Sequence, residues 1–419
     1  MAPGVNSQTV GLQLEKVRDK AYLLYERDDL LFGRFKKLDT DAVSSRPERV
    51  PIQVLAGGNM VQFNPDFGDM QQGSMTTWDF GTLSQVFFAF GVQISALTDW
   101  ATDEKEKAIE DVPSAEVENS MLQFSKAIDN LLNTDGSGTL DTVVSVTGPN
   151  IITVNNANQF FDNQIIQVVP SLGSAPRAGS PVQILSVDPN AKQLYLTGPY
   201  PVGTTTGDLL VVQGAPATAA SSLLGLEYYH TQANTGSWLN LARTSYPGKL
   251  RTPYVNGNSG AVTPQIVRRM LNQLRIALGT EVADREDLLW YMNVDMEASW
   301  ENAAIAVSQV IMNQLGGSTH EDMLKKSAPA TAAGRKILTS IHAKYQRIDG
   351  LLLKYWFRAE SKPLDFYSVK GQTTFPLYAP SGGLSAGSIF YLVAGFNVAH
   401  AGGGRQGTYA DSFALPTGY

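Results

Sequence analysis

The chain has 419 residues, enough for two or three domains, and 43% of them are hydrophobic while 17% are charged. The absence of cysteine excludes a disulfide framework, thiolate zinc sites and a cysteine nucleophile. The net charge of −7 argues against nucleic-acid wrapping as the main activity, because phosphate binding needs clustered Lys and Arg. With no apolar run of membrane-spanning length, we expect a soluble, unsecreted, globular chain.

The N-terminal segment 1–48 carries a highly charged amphipathic pattern that predicts a helix over residues 10–38. Its apolar positions, which include Leu14, Val17 and Leu24, recur at helical spacing. The apolar stripe is narrow, so we expect this helix to lie on a neighbouring subunit rather than inside a core.

A stretch of 55 residues between Arg49 and Lys105 contains no lysine or arginine. It predicts an extended hairpin whose near arm is 50–54 and whose far arm is the alternating run 86–95. An isolated two-stranded hairpin is marginal in water, so we expect another copy of the chain to cover it. The candidate inter-subunit contacts in this stretch are Phe63, Trp78, Phe80 and Phe88.

Pro113 begins a predicted helix with one apolar face, which ends at the turn 133–138. After it, Asn133, Asp135, Ser137 and Asp141 occupy positions 1, 3, 5 and 9 of a calcium-loop pattern. Val144 replaces the bidentate Glu at position 12, and a strand rather than a helix follows. A helix-to-strand turn is therefore the favoured interpretation, with calcium binding as the alternative.

Residues 139–214 contain only six charged residues and are rich in Val, Ile, Thr, Gly and Pro. About six short strands separated by turn clusters predict a small barrel or sandwich. The segment lies between helical regions, so it is expected to be an inserted module. Its predicted strands are Thr142–Val146, Ile151–Val154, Gln164–Val169, Val182–Val187, Gln193–Thr197 and Leu209–Val212.

The remainder, 215–419, predicts mixed helices and strands. The expected elements are a helix begun by Pro264 and stopped by Gly279, a buried strand at Leu288–Met292, a helix capped by Asp295 that ends at Gly316, and strands at Leu351–Phe357 and Ser388–Val398.

No sequence pattern assembles a nucleophile, a base and a residue that orients the base. The histidines, His230, His320, His342 and His400, are isolated and predict surface or core positions rather than metal ligands. The aromatic runs 290–292 and 355–357 predict buried strands. Gly402 to Gly407 fits a G-x-G-x-x-G spacing, but no helix follows, which favours a flexible turn.

The order of parts, a charged arm, a long hairpin, one long helix and an α+β body, resembles that of tailed-bacteriophage major capsid proteins of the Hong Kong 97 type. Loosely similar segments extend over the later sequence. They are Gly236 to Arg243, Leu289 to Asn293, Ile348-Asp349-Gly350, Leu392 to Val398, and Arg405 followed by Leu415-Pro416.

The resemblance implies an α+β, Hong Kong 97-type fold with a defined division of the chain. Residues 1–48 would be the N-arm, 49–97 the E-loop hairpin, and 98–138 the spine helix of the P-domain. The module 139–214 would be an insertion, and 215–419 the remaining P-domain and the A-domain.

The resemblance also implies function: a non-enzymatic major capsid protein whose hexamers and pentamers form an icosahedral head around double-stranded DNA. It implies assembly in the host bacterial cytoplasm, a location in the virion, portal, scaffolding and decoration or cement proteins as partners, and no cofactor or membrane. Because 50–104 lacks lysine, the lysine-to-asparagine cross-link that some members form through the E-loop is not expected.

Two alternatives remain open at this stage. The shell protein of an encapsulin-type nanocompartment would enclose a cargo enzyme rather than a genome. An enzyme with an accessory β-domain would need a pocket with titratable groups.

Overall fold

The computed structural model describes residues 31–39, 47–60, 62, 72–95, 112–215, 217–283, 288–303, 331–378 and 384–415. The chain forms two compact units. Within the described residues, the first unit comprises parts of 85–128 and 360–396, and the second comprises parts of 29–84, 129–359 and 397–419. No helix among the described residues has the length and apolarity needed to cross a membrane.

The helices longer than two turns are α1 (Val112–Leu132), α2 (Pro264–Leu278) and α3 (294–303). One-turn helices cover Leu226–Tyr229, Pro247–Leu250 and Thr280–Ala283, and 3₁₀ turns cover Leu31–Arg34, Ala157–Gln159, Leu353–Tyr355 and Gly404–Gln406. The strands are β1 (Lys36–Asp39), β2 (Glu48–Leu55), β3 (Thr77–Leu83), β4 (Val86–Ser95), β5 (Thr139–Thr147), β6 (Ile151–Val154), β7 (Ile165–Val169), β8 (Val182–Asp188), β9 (Gln193–Leu196), β10 (Leu209–Val212), β11 (Ser237–Trp238), β12 (Leu241–Ala242), β13 (Tyr254–Asn256), β14 (Leu288–Met292), β15 (Thr331–Ala332), β16 (Arg335–Thr339), β17 (Ile348–Leu352), β18 (Trp356–Phe366), β19 (Thr374–Tyr378), β20 (Leu384–His400) and β21 (Gly407–Asp411).

The predicted pairing of the long hairpin is wrong. Strand β2 pairs with β3, whereas β4 pairs antiparallel with residues 387–396 of β20. One face of β4, with Phe88, Phe90 and Val92, is partly or fully buried, and Phe88 packs on Phe396 with ring centroids 5.6 Å apart. The other face is exposed, and its Phe87 is 60% accessible to solvent. Strand β4 is therefore stabilised by its pairing with β20 and by the apolar contacts of one face.

The first unit is built on part of a five-stranded sheet. Within this unit the strand order is β18-β20-β19, with β4 pairing with β20. Helix α1 has nearly the bounds that the sequence predicts, and the rings of Phe124 and Phe90 meet edge to face with centroids 6.2 Å apart. The apolar face of α1 therefore packs on a sheet, as its periodicity predicts.

The predicted N-terminal helix lies mostly outside the described residues, and its described end is not helical. Leu31–Arg34 forms a 3₁₀ turn, and β1 follows. Both Leu31 and Phe35 are buried, and Phe35 stacks on Trp356 with ring centroids 5.2 Å apart. Tertiary packing of these two side chains, with Gly33 between them, outweighs the helical pattern predicted for this end of the segment.

Residues 139–212 form a closed six-stranded barrel, so of the two predicted architectures the barrel is the one that forms. The strand order is β10-β5-β6-β9-β8-β7, and β10 also pairs with β7 to close it. Its interior holds alternating side chains such as Val143, Ile152, Ile166 and Leu210. Closure leaves no unpaired strand edge. Charged side chains commonly keep such edges from pairing with other chains, and this module, which has few charges, has no edge to protect.

A six-stranded sheet forms the centre of the second unit, in the order β13-β21-β17-β14-β16-β15. All five residues of β14 are buried, as predicted, and α2 and α3 contribute to a core that contains Trp290 and Met292. The Thr263 side chain caps α2 by accepting from the backbone N–H of Ile266. Asn293, not the predicted Asp295, caps α3: its carboxamide oxygen accepts from the Asp295 N–H at 3.1 Å.

Two predictions near the C-terminus also need correction. The 3₁₀ turn Leu353–Tyr355 interrupts the expected strand Leu351–Phe357. The expected flexible turn at Gly402 to Gly407 is packed, because a Cβ at Gly404 would lie 2.6 Å from the carbonyl oxygen of Leu250. Gly407 then begins β21, which lies inside the six-stranded sheet.

Candidate assembly surface

The base of the β2–β3 hairpin is anchored on the body of its own chain. Its inner face, which includes Val50, Ile52 and Leu83, is buried. The N–H of Thr82 donates to the carbonyl of Leu239 at 2.9 Å, and a Cβ at Gly81 would lie 2.5 Å from the Cβ of Leu239. The expectation that the hairpin has no core within its own chain is therefore wrong for this face.

The opposite side of the same two strands faces solvent. We call it the outer hairpin face and define it as Arg49, Pro51, Leu55, Trp78 and Phe80. Trp78 is 63% exposed, Leu55 57% and Phe80 46%. Pro51 is directly opposite Phe80 in the register, and the Arg49 guanidinium lies 4.7 Å from the centroid of the Phe80 ring. Exposed apolar side chains interspersed with polar ones, here Arg49 and Gln53, are typical of a protein contact surface.

The hairpin continues beyond its paired strands. The Gly58 N–H donates to the Ser74 carbonyl at 2.7 Å, which holds the two arms together past the ends of β2 and β3. Beside this bond, the side chains of Met60 and Met75 are almost fully exposed. The hairpin therefore presents apolar side chains both on its outer face and towards its tip.

The structure brings two of the predicted contact residues together and separates a third. Trp78 and Phe80 lie side by side on the outer hairpin face, whereas Phe88 is half-buried against Phe396. The remaining candidates, Leu14, Val17, Leu24 and Phe63, lie outside the described residues. Sequence reasoning missed Leu55 and Pro51, which the correct β2–β3 register would have placed on the same face as Phe80.

A second candidate site is a buried polar cluster around His230. The Arg347 guanidinium donates to both carboxylate oxygens of Asp349, at 2.8 and 2.9 Å, and to the His230 carbonyl. The other hydrogen bond of Asp349 joins it to Nδ1 of His230 at 2.8 Å. The rings of Trp356 and His400 close the cluster, with centroids 4.5 Å apart.

The electrostatics of this cluster indicate a structural role. Burial lowers the pKa of His230 and lowers that of His400 well below its ordinary value. Burial alone would raise the pKa of Asp349, but the Arg347 guanidinium and the His230 ring hold it well below its ordinary value. A Cβ at Gly407 would lie 2.2 Å from Nε2 of His230, so no nucleophile or substrate fits against that nitrogen.

The histidine predictions agree with this geometry. His230, His342 and His400 are buried in the core, and His320 lies outside the described residues. The run 290–292 is fully buried in β14, as predicted. In the run 355–357 only Trp356 is fully buried, while Tyr355 and Phe357 are partly buried and Tyr355 lies in a 3₁₀ turn rather than a strand.

The calcium-loop candidates do not converge. Asn133, Asp135 and Asp141 line a cavity of about 690 Å³ between the barrel and the 344–346 turn. The Asp135 carboxylate accepts from the N–H and hydroxyl of Ser137, while Asp141 accepts from the Asn156 N–H at 2.7 Å. Each carboxylate thus stabilises a different turn. Among the described residues, no group of three or more His, Cys, Asp and Glu is placed to hold a metal ion.

Comparisons with known proteins bear on the fold. No protein-family model matches the chain, and no curated protein matches its sequence. A chain of the cyanophage A-1(L) capsid asymmetric unit is 12% identical, and the match covers 97% of this chain and 99% of that one with a TM-score of 0.52. The capsid of a native GTA particle (11% identity, 98% and 100% coverage) and Gordonia phage Cozz (9%, 97% and 93%) each match with a TM-score of 0.47.

The first of these matches establishes the class of fold. Nearly the whole of each chain aligns, so the likeness is one of complete architecture rather than of a shared motif. The chain is a mixed α/β protein with the fold of a phage capsid protein, and the predicted resemblance is confirmed at this level.

Proposed function

We propose that this chain is the major capsid protein of a tailed bacteriophage, and that it assembles with copies of itself into the shell of the head. The full-length likeness to the cyanophage capsid chain carries the proposal, because it covers 97% of this chain and 99% of that one. The outer hairpin face and the sequence resemblance support it.

The geometry suits assembly by heterologous contacts. The hairpin is anchored at its base and exposed along its outer face, so each copy can place that face on a different surface of the next copy. Contacts between unlike surfaces close into rings when the rotation between copies is right, and rings of six and five combine into shells. Trp78 and Phe80 are the residues we propose to be buried in this contact, since aromatic side chains dominate interface energetics.

The division of the chain follows the same proposal. Residues 1–48 act as an N-arm, 49–97 as the E-loop, in which β2 pairs with β3 and β4 pairs with β20, and 98–138 as the P-domain spine that contains α1. The barrel within 139–214 is an insertion, and 215–419 completes the P- and A-domains. The head encloses double-stranded DNA, is assembled in the bacterial cytoplasm, and has portal, scaffolding and decoration proteins as partners.

Sedimentation velocity on the purified full-length chain tests the proposal. The wild-type chain should sediment as rings or shells, and Trp78→Asp/Phe80→Asp should sediment as a monomer near 45.3 kDa. Placing two charges in a desolvated apolar contact costs several kcal/mol, enough to shift assembly by orders of magnitude in concentration.

Leu185→Asp provides a matched control, because Leu185 is a comparably exposed apolar residue on the barrel. It should assemble like the wild type. A wild-type chain that stays monomeric at every salt and protein concentration contradicts the proposal. A shell that holds an enzyme and no nuclease-protected DNA would instead indicate a nanocompartment.

A further inference from the structure

Helix α2 has a solvent-facing side that carries arginines and no carboxylate. Its side chains Val267, Met270 and Leu274 are buried in the core of the second unit, and the opposite side of the helix is exposed. We call that side the basic helix face, and its exposed residues are Gln265, Arg268, Arg269, Asn272, Gln273 and Ile276. Exposed helix faces commonly alternate charges of both signs, whereas this face combines positive charge with amides. It is therefore suited to a negatively charged partner.

The two arginines of the basic helix face are unpaired. Neither the Arg268 nor the Arg269 guanidinium makes an ion pair or a hydrogen bond with any residue that the structure describes. The surrounding stretch 228–280 contains six Lys and Arg and no carboxylate. The nearest carboxylates in the sequence are Glu227, which is already paired with a lysine, and Glu281, which follows the helix. The donors of both guanidinium groups are therefore available to an external acceptor.

Two further cations lie at the C-terminal end of α2. The Arg405 guanidinium donates to the carbonyl of Ala277. Burial and the nearby charge of Arg405 lower the pKa of Lys249, so these two cations are close to each other. From Arg268 to Ala277 the helix rises about 14 Å, at ~1.5 Å per residue. Duplex DNA carries about eight phosphate charges over that length, so several phosphates can contact these cations at once.

The chemistry of the basic helix face favours nucleic acid over a protein partner. In α2, all of whose residues the structure describes, Ile276 is the only large apolar side chain that is exposed, and a single one is ordinary on a protein surface. The centre of a protein–protein contact is apolar and depleted of charge, whereas Arg, Asn and Gln are among the side chains that contact phosphate. The net charge of −7 does not prevent such binding, because salt screens charges beyond about 10 Å at ~0.1 M, so the local sign decides.

We propose that the basic helix face binds the phosphate backbone of double-stranded DNA, independently of its sequence. The inference rests on the proposed function, in which the head encloses DNA, and adds the surface of the shell protein that the DNA contacts. Arg268 and Arg269 donate to phosphate oxygens, and the amides of Asn272 and Gln273 hydrogen-bond to the same backbone. Because these contacts are electrostatic, the affinity depends steeply on salt.

The salt dependence of DNA binding tests the proposal on the unassembled full-length chain. A fluorescently labelled duplex is titrated with the chain, and the anisotropy gives the affinity at salt concentrations from ~50 to ~200 mM. Arg268→Gln/Arg269→Gln removes two phosphate contacts, so the slope of log affinity against log salt should become shallower by about two. Over that fourfold range of salt, the wild type should therefore lose about tenfold more affinity than the variant.

Two control variants separate the basic helix face from the overall charge. Lys362→Gln/Lys370→Gln removes the same charge from two exposed side chains of the first unit, and it should leave the salt slope unchanged. Arg268→Lys/Arg269→Lys keeps both charges and should bind DNA with the wild-type slope. Since Arg268 and Arg269 are exposed, all these variants should have the wild-type melting temperature.

The outcomes separate this inference from the proposed function. Sedimentation of the wild type, which needs no DNA, decides the proposed function: without particles it fails. A wild-type chain that binds no duplex at ~50 mM salt, or a lysine control that flattens the slope as much as the arginine variant, overturns the inference even where particles form. If the arginine variant binds DNA like the wild type but assembles only at a higher concentration, the face contacts another protein copy, and the inference is also wrong.

Discussion

Replacement of Asp349 by asparagine (Asp349→Asn) should be among the most destabilising single changes in the second unit. The Asp349 carboxylate accepts two hydrogen bonds from Arg347 and contacts Nδ1 of His230, and all three side chains are buried. The asparagine side chain would retain the shape of the carboxylate but leave the Arg347 charge uncompensated in the core. Loss of one partner from a buried ion pair costs about 3–5 kcal/mol.

Urea unfolding of the unassembled chain, followed by tryptophan fluorescence, measures this loss. The contact between the Trp356 and His400 rings, whose centroids lie 4.5 Å apart, places a fluorophore inside the cluster. Asp365→Asn is the matched control, since Asp365 pairs with Lys362 at 3.4 Å on the surface and such a pair contributes about 0–1 kcal/mol. If the two variants lose similar amounts of stability, the cluster does not stabilise the fold as argued.

Three further predictions concern stability and covalent state. Burial lowers the pKa of His230 and His400 in the folded chain, so the unfolded chain binds protons at these residues more readily. The free energy of unfolding should therefore fall as pH drops below about 6.5. An unfolding free energy that stays constant between pH 7.5 and 5 would contradict this. Gly407→Ala should lower the melting temperature, since its Cβ would lie 2.2 Å from Nε2 of His230, while Gly248→Ala, with open space around it, should not; equal melting temperatures would refute the packing argument. Boiled, denatured particles should run as one band near 45.3 kDa, because 50–104 lacks lysine, whereas a ladder of multimers would point to cross-linking lysines elsewhere.

Local patterns predicted the elements whose boundaries are set by local chemistry. The Pro and Thr that begin α2 and the Gly that ends it act within one helical turn, and the bounds of α2 are correct. The barrel strands were predicted for the same reason, since each short apolar run is enclosed by turn residues that lie next to it in the sequence.

Non-local pairings account for the errors. The partner of β4 is β20, about 300 residues further along the chain. Strand β2 shows an equally regular alternation, so the sequence pattern wrongly indicated that β2 pairs with β4. The polar cluster around His230 also could not be predicted from the sequence, because His230 contacts Asp349 only when the sheet containing β17 forms. The outer hairpin face was predicted in part, since Trp78 and Phe80 show period-two spacing whichever strand they pair with.

Negative-stain electron microscopy of the purified full-length chain tests the central claim most directly. The account predicts closed, uniform particles built from rings of subunits, and fields without particles for Trp78→Asp/Phe80→Asp. Wild-type fields that contain only monomer-sized objects, at a concentration where sedimentation also shows no assembly, would contradict the claim that this chain forms a shell.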